Sequence, residues 1–102
     1  MRIFALFNLK PGVDEAAYTE WAKTVDLPTA NGLPSIDSFR LFKTTGLLGS
    51  EAKPPYGHIE VIDVADMDQF GRDVATEAMQ AVAAAFNEMV DVTFITTAEI
   101  TA

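Results

Sequence analysis

The chain's only histidine, His58, stands two residues before Glu60 in the alternating run Tyr56 to Val64. A second alternating run, Ser35 to Thr45, precedes it and carries Arg40. Phe39 and Leu41 share one face of the earlier run, as Ile59 and Val61 do in the later one. Pairing these apolar sets as a hairpin places Arg40 on the opposite face with His58 and Glu60, whether Arg40 meets Glu60 or His58. A histidine there is a general acid or base near neutral pH. Glu60 would orient or charge it, and Arg40 would hold an anionic oxygen. Phe42, Tyr56 and Ile62, with Ser38, surround them as apolar and polar walls. The plainer reading is a cross-strand ion pair beside a solvated histidine at a strand start.

Three further residues are secondary candidates for contact with a ligand. Asn8 ends the first apolar run, where its carboxamide could face a cavity or satisfy backbone groups. Trp21 closes a helical stripe and reads equally as core or interface. Asp26 precedes Leu27-Pro28, where an aspartate serves as a base or as a local turn acceptor. Asp63, Asp66 and Asp68 lack the Gly and the closing Glu of a calcium loop. With one His and no Cys, neither a zinc site nor a thiol nucleophile is expected. No phosphate loop, serine elbow or dinucleotide fingerprint is present.

These residues need a frame, and its outline is legible. Arg2 to Leu9 is a short apolar run stopped by Lys10-Pro11-Gly12, which favours a strand. Asp14 reads as an N-cap, with Val13 and Tyr18 forming a hydrophobic staple. Ala17, Tyr18, Trp21, Ala22 and Val25 make one helical face, so the first helix should span about Asp14 to Val25. Pro28, Gly32 and Pro34 are expected to end it. The two alternating runs follow, joined by the turn-rich segment Gly46 to Pro55. Asp66 and Gln69 form a capping box ahead of a second helix, whose apolar positions recur from Met67 to Met89. The Thr-rich run Asp91 to Ile100 is the last strand.

The order strand, helix, strand, strand, helix, strand predicts a ferredoxin-like α+β fold, βαββαβ, with a four-stranded antiparallel sheet and both helices on one face. At 102 residues a single domain, 1–102, is expected. Ile3, Ala5 and Phe7 alternate with Phe4 and Leu6, so both faces of the first strand are apolar. Helices cover one face only, and the other calls for a partner, most simply a second copy in a homodimer. The formal charge of −8 and the scattered cations argue against nucleic acid and anionic membrane surfaces. No apolar run approaches the ~20 residues of a membrane span, and the opening run is short for a secretory leader. A cytoplasmic location is the expectation.

The strand ending in Lys10-Pro11-Gly12, Trp21, Asp26-Leu27-Pro28, and Leu33-Pro34-Ser35-Ile36 leading to Phe39-Arg40 resemble the dimeric α+β-barrel superfamily. Within it the match is to the REDY-like HapK family, linked with prodigiosin-type pigment biosynthesis. Tyr56, Ile59 to Val64 and Phe70 extend the resemblance. It implies two sheets facing each other across a dimer, with a ligand cavity between each sheet and its helices or loops. The superfamily holds cofactor-free monooxygenases, haem-degrading enzymes, isomerases, dehydratases and members without assigned activity, so no mechanism follows from it. Many relatives carry a His after the first helix, where this chain has Asp26. Haem-degrading members combine a first-strand Asn with a strand Trp and a His on the second helix. Only Asn8 matches, so no haem and no other cofactor is expected. The leading expectation is a homodimer that binds an apolar or aromatic intermediate and acts on it by acid–base chemistry. A cofactor-independent monooxygenase and a non-catalytic binding or assembly protein are the alternatives.

Overall fold

Strand β1, Arg2–Leu9, opens the chain, and the computed structural model describes all of residues 1–102. Ile3, Ala5 and Phe7 are buried along one face of β1. The strand ends at Lys10-Pro11-Gly12, where Gly12 takes a left-handed φ of 87° and the Val13 amide bonds back to the Lys10 carbonyl. Asp14 then caps α1, Glu15–Trp21, by accepting a hydrogen bond from the Ala17 amide at 3.0 Å.

The helical path does not stop near Val25. It passes through a π-helical turn, Ala22–Asp26, and continues as α2, Leu27–Asn31. Pro28 lies inside this continuous helical path, at the second residue of α2, so the turn before it must make room for its ring and its missing N–H. Just ahead of it the Leu27 amide reaches back five residues to the Ala22 carbonyl, so the widened turn absorbs the proline. The extra residue also carries Asp26 into the interior. Asn31 closes α2 by bonding both the amide and the carbonyl of Phe39, which fastens the helix end to the next strand.

Strands β2, Ile36–Lys43, and β3, His58–Val64, pair antiparallel. Their register departs from the expected one. Arg40 lies opposite Val61, and Leu41 lies opposite Glu60. A bulge between Ile36 and Ser38 adds Asp37 to β2 without a partner, and one added residue exchanges the faces of everything beyond it. The apolar pairs Phe39/Leu41 and Ile59/Val61 therefore occupy opposite faces of the sheet.

Asp66 caps α3, Met67–Val74, accepting from the Asp68 and Gln69 amides. The Gln69 side chain does not complete a capping box; it donates to Asp73 at 2.7 Å. Asp73 also accepts from the Ser35 amide, tying α3 to the start of β2. The single second helix expected is two, because Thr76 breaks the run and caps α4, Glu77–Met89. Strand β4, Val90–Thr96, completes the sheet in the order β2-β3-β1-β4.

All pairings are antiparallel. The helices cover one face, where Tyr18, Ala22 and Phe86 pack on Ala5 and Phe7. Ile36, Ile62 and Ile3 form a neighbouring cluster with Leu33 and Phe70. The opposite face presents Phe4, Leu6 and Ile59, flanked by exposed Phe42 and Ile95. No helix is long and apolar enough to cross a membrane.

Candidate functional site

Register decides what lies beneath the helices. His58, Glu60 and Ile62 sit opposite Phe7, Ala5 and Ile3 of β1, all turned toward the helical layer. His58 and Glu60 are 5% and 2% exposed. Two polar side chains thus occupy positions where the alternation rule expects apolar ones, an inconsistency of the kind found at functional sites.

The Glu60 carboxyl projects from the centre of the sheet beside the small Ala5. Its Oε1 has no hydrogen-bond partner. Burial first, then the neighbouring charge of Asp26, pushes its pKa up to about 8. Asp26 reaches the same place from the π-helical turn and is 6% exposed. Burial pushes its pKa up to about 6. Between them lies a cavity of about 160 Å³, partly open to solvent and bounded by the sheet and helices α2, α3 and α4. Fourteen residues line it, and twelve are hydrophobic, so Asp26 and Glu60 supply its polarity. Ile62, Phe39, Phe86 and Phe94 are among its walls.

His58 adjoins this cavity without lining it. Its ring stacks on Phe7 at 5.2 Å and meets the edge of Tyr18 at 5.3 Å. Phe7 in turn meets Phe86 edge-on at 5.1 Å, and Phe86 forms part of the cavity wall. His58 Nδ1 has no partner. Nε2 lies 3.9 Å from Glu15 Oε1, beyond hydrogen-bonding range. Glu15 is held at the rim by Lys43 Nζ at 2.7 Å. Burial lowers the His58 pKa from its ordinary value, and Glu15 opposes that shift. Because His58 is the only histidine, its ring proton resonances report it without ambiguity. Their NMR titration midpoint should fall below the ordinary histidine range, and Glu15→Gln should lower it further. A midpoint indifferent to Glu15 would remove the rim carboxylate from the site.

Tyr18 is the site residue that periodicity hid. It reads as a staple on a core face, and it is fully buried there with its hydroxyl unpartnered. Burial, then Glu60 and Asp26, drive its pKa far upward, so the phenol stays protonated. The available signal was chemical: a buried Tyr usually brings its hydroxyl to a polar partner.

The remaining candidates are placed elsewhere. Arg40 is not with His58 and Glu60; the bulged register turns it to the open face, where its guanidinium lies 5.5 Å over Phe42. Phe42 shares that face and does not line the cavity. Asn8 donates to the Pro55 carbonyl and accepts from the Gly57 amide, holding the segment that leads into His58. Tyr56 lies outside the cavity, in the same segment, its carbonyl accepting from Thr44 Oγ1. Trp21 packs beside the cavity on Phe86, with ring centroids 6.5 Å apart. The structure therefore brings together Glu60, Asp26 and Ile62, with His58 adjacent. No three His, Asp or Glu side chains converge as a metal ion requires.

A family model described as REDY-like protein HapK matches residues 1–100. Among solved structures, HapK from Hahella chejuensis is 25% identical, with a TM-score of 0.78 over 100% of this chain and 95% of its own. A dimeric ferredoxin-like protein of unknown function from Thermobifida fusca is 21% identical, with a TM-score of 0.71 over 92% of this chain and 85% of its own. SnoaB from Streptomyces nogalater, a cofactor-independent oxygenase, is 15% identical, with a TM-score of 0.72 over 98% of this chain and 93% of its own. The curated proteins offer no sequence match.

Proposed function

The chain belongs to the REDY-like HapK family, with the ferredoxin-like fold of the dimeric α+β barrels, and we propose that it binds a small apolar or aromatic metabolite beneath its helices and moves a proton on it. The observation that carries this reading is the buried, unpartnered Glu60 carboxyl in a cavity otherwise lined almost wholly by hydrophobic side chains. Such a mixture of apolar walls and few polar groups is usual for small-molecule sites. Two carboxyls with pKa values near 8 and near 6 divide the labour of acid–base catalysis. Near neutral pH Glu60 keeps its proton and serves as the acid, while Asp26 is ionised and serves as the base. His58 is a positioning residue: it packs the aromatic wall through Phe7 and sits two residues from Glu60 on β3.

The substrate belongs to the class of aromatic or polyketide-like intermediates of pigment or other secondary metabolism. The working unit is a homodimer joined through the open sheet face. Its apolar surface needs cover, and the Thermobifida fusca neighbour is described as dimeric.

The test is turnover of candidate aromatic intermediates by single variants. Glu60→Gln and Asp26→Asn should each lower the rate by roughly 10²–10⁴-fold. Arg40→Ala, on the other side of the sheet, should leave it nearly unchanged. Near-normal turnover in Glu60→Gln would overturn the assignment. Binding without turnover in the native protein would instead favour a carrier or assembly role. A second reading is cofactor-independent oxygenation, favoured by the description of SnoaB. There Asp26 would take a proton from carbon and the substrate carbanion would react with oxygen. Oxygen uptake during turnover separates it from simple proton transfer.

A further inference from the structure

We propose that the cavity selects its ligand by charge, accepting an apolar ring with a cationic or hydrogen-bond-donating head group and rejecting the matching carboxylate. This rests on reading the cavity as the ligand site and adds the chemical class of what enters it.

The basis is an imbalance within the walls. Asp26 and Glu60 are both buried, and neither belongs to any of the chain's three ion pairs. Glu60 Oε1 lacks any hydrogen-bond donor. No Lys or Arg lines the cavity. Arg2 is committed to Asp63 and Lys43 to Glu15, while Arg72 bonds Gln69. Lys10 bonds the Asn87 carbonyl, and Arg40 lies on the opposite face. Lys23 and Lys53 are exposed. The nearest titratable neighbours, Tyr18 and His58, are respectively a protonated phenol and a histidine whose pKa burial lowers. Neither is a cation near neutral pH. An ionised carboxylate without a counter-charge is costly in apolar surroundings, so a donor or cation from the ligand relieves that cost. A second carboxylate in the same space would add like-charge repulsion beside two buried carboxyls, where water screens it little.

Size sets the rest. A cavity of about 160 Å³ is close to the ~150 Å³ apolar cavity that accommodates benzene. One six-membered ring therefore fits, with its head group directed at the two carboxyls.

Benzamidine, benzamide and benzoate share one planar shape and differ in charge, which makes them suitable probes. Each is titrated into the full chain at pH 7 while NMR follows the methyl group of Met79, a cavity wall residue. Benzamidine should bind about tenfold or more tighter than benzoate, with benzamide between. The preference should shrink at pH 5, where Asp26 also takes up its proton, and this arm needs no variant. It should vanish in the Asp26→Asn/Glu60→Gln double variant. Benzoate binding as tightly as benzamidine, with Met79 perturbed, would overturn the charge rule and leave the cavity as a ligand site. Silence of Met79 toward all three at millimolar concentration would overturn both.

Discussion

Glu60→Gln is expected to make the protein more stable at pH 9 than the native chain and to flatten its dependence on pH. The unfolded carboxyl titrates near 4.5, whereas burial and Asp26 hold the folded one near 8. Between those values the folded state retains a proton that the unfolded state has released. Stability therefore falls as pH rises through this window, and levels off above the folded pKa. The full displacement corresponds to about 3–5 kcal/mol, a large part of the about 5–15 kcal/mol available to an ordinary domain. Asp26 acts in the same direction at lower pH, since its folded value near 6 also lies above the unfolded one. His58 acts oppositely: its lowered pKa means that stability is lost as pH falls below the ordinary histidine value. Two carboxyls favour low pH against one histidine, so the optimum should lie in the acidic range, below the folded pKa of Asp26. Glutamine preserves the shape of the side chain and has no charge to bury. Urea midpoints at pH 5 and pH 9, compared for native and Glu60→Gln, provide the measurement. Identical pH dependence in the two proteins would mean that the Glu60 carboxyl titrates alike in the folded and unfolded states, so that the fold does not raise its pKa.

The fold was far more legible than the site, and the reasons are specific. Lys10-Pro11-Gly12 and Asp14 mark local stops and starts, and both act through the backbone of neighbouring residues. Such signals survive any tertiary arrangement. Pro28 misled because its effect depends on helical phase: after a π-helical turn it opens a new segment rather than breaking the old one. Thr76 was invisible within an apolar periodicity that runs unbroken across it. The site depended on one unpaired residue, Asp37, which exchanges the faces of β2 relative to β3. Hydrophobic patterning could not reveal that exchange, because Ile59 and Val61 suit the open face as well as Phe39 and Leu41 suit the covered one. Patterning alone therefore groups Arg40 with His58 and Glu60, whereas the bulge sets it opposite Val61 on the open face. Asp26 reads as a secondary candidate from sequence, since a helix-ending aspartate normally serves its own turn. Its burial comes from the helix continuing past it.

Ile59→Glu is expected to convert a dimer into a folded monomer, weakening self-association by about 1000-fold or more. Leu6 and Ile59 are paired on the two central strands of the sheet, at the middle of the open face. Phe4, Phe42 and Ile95 extend that apolar surface outward. A face-to-face dimer is isologous, so one substitution places two carboxylates near the same axis and desolvates both. Thr93→Glu, beside Leu6 on the edge strand β4, should cost much less because its charge stays nearer solvent. Light scattering across micromolar dilution gives the association state, and circular dichroism confirms that the sheet persists. A native protein that is monomeric throughout would refute the dimer, as would an Ile59→Glu protein that associates unchanged. The covered face supplies an independent control. Glu60 projects from the other side of the same strand, so the resulting monomer should keep its high carboxyl pKa and the alkaline loss of stability that follows from it. If that signature also disappeared, the cavity would depend on the partner, and assembly and chemistry would be parts of one device rather than two faces of one sheet.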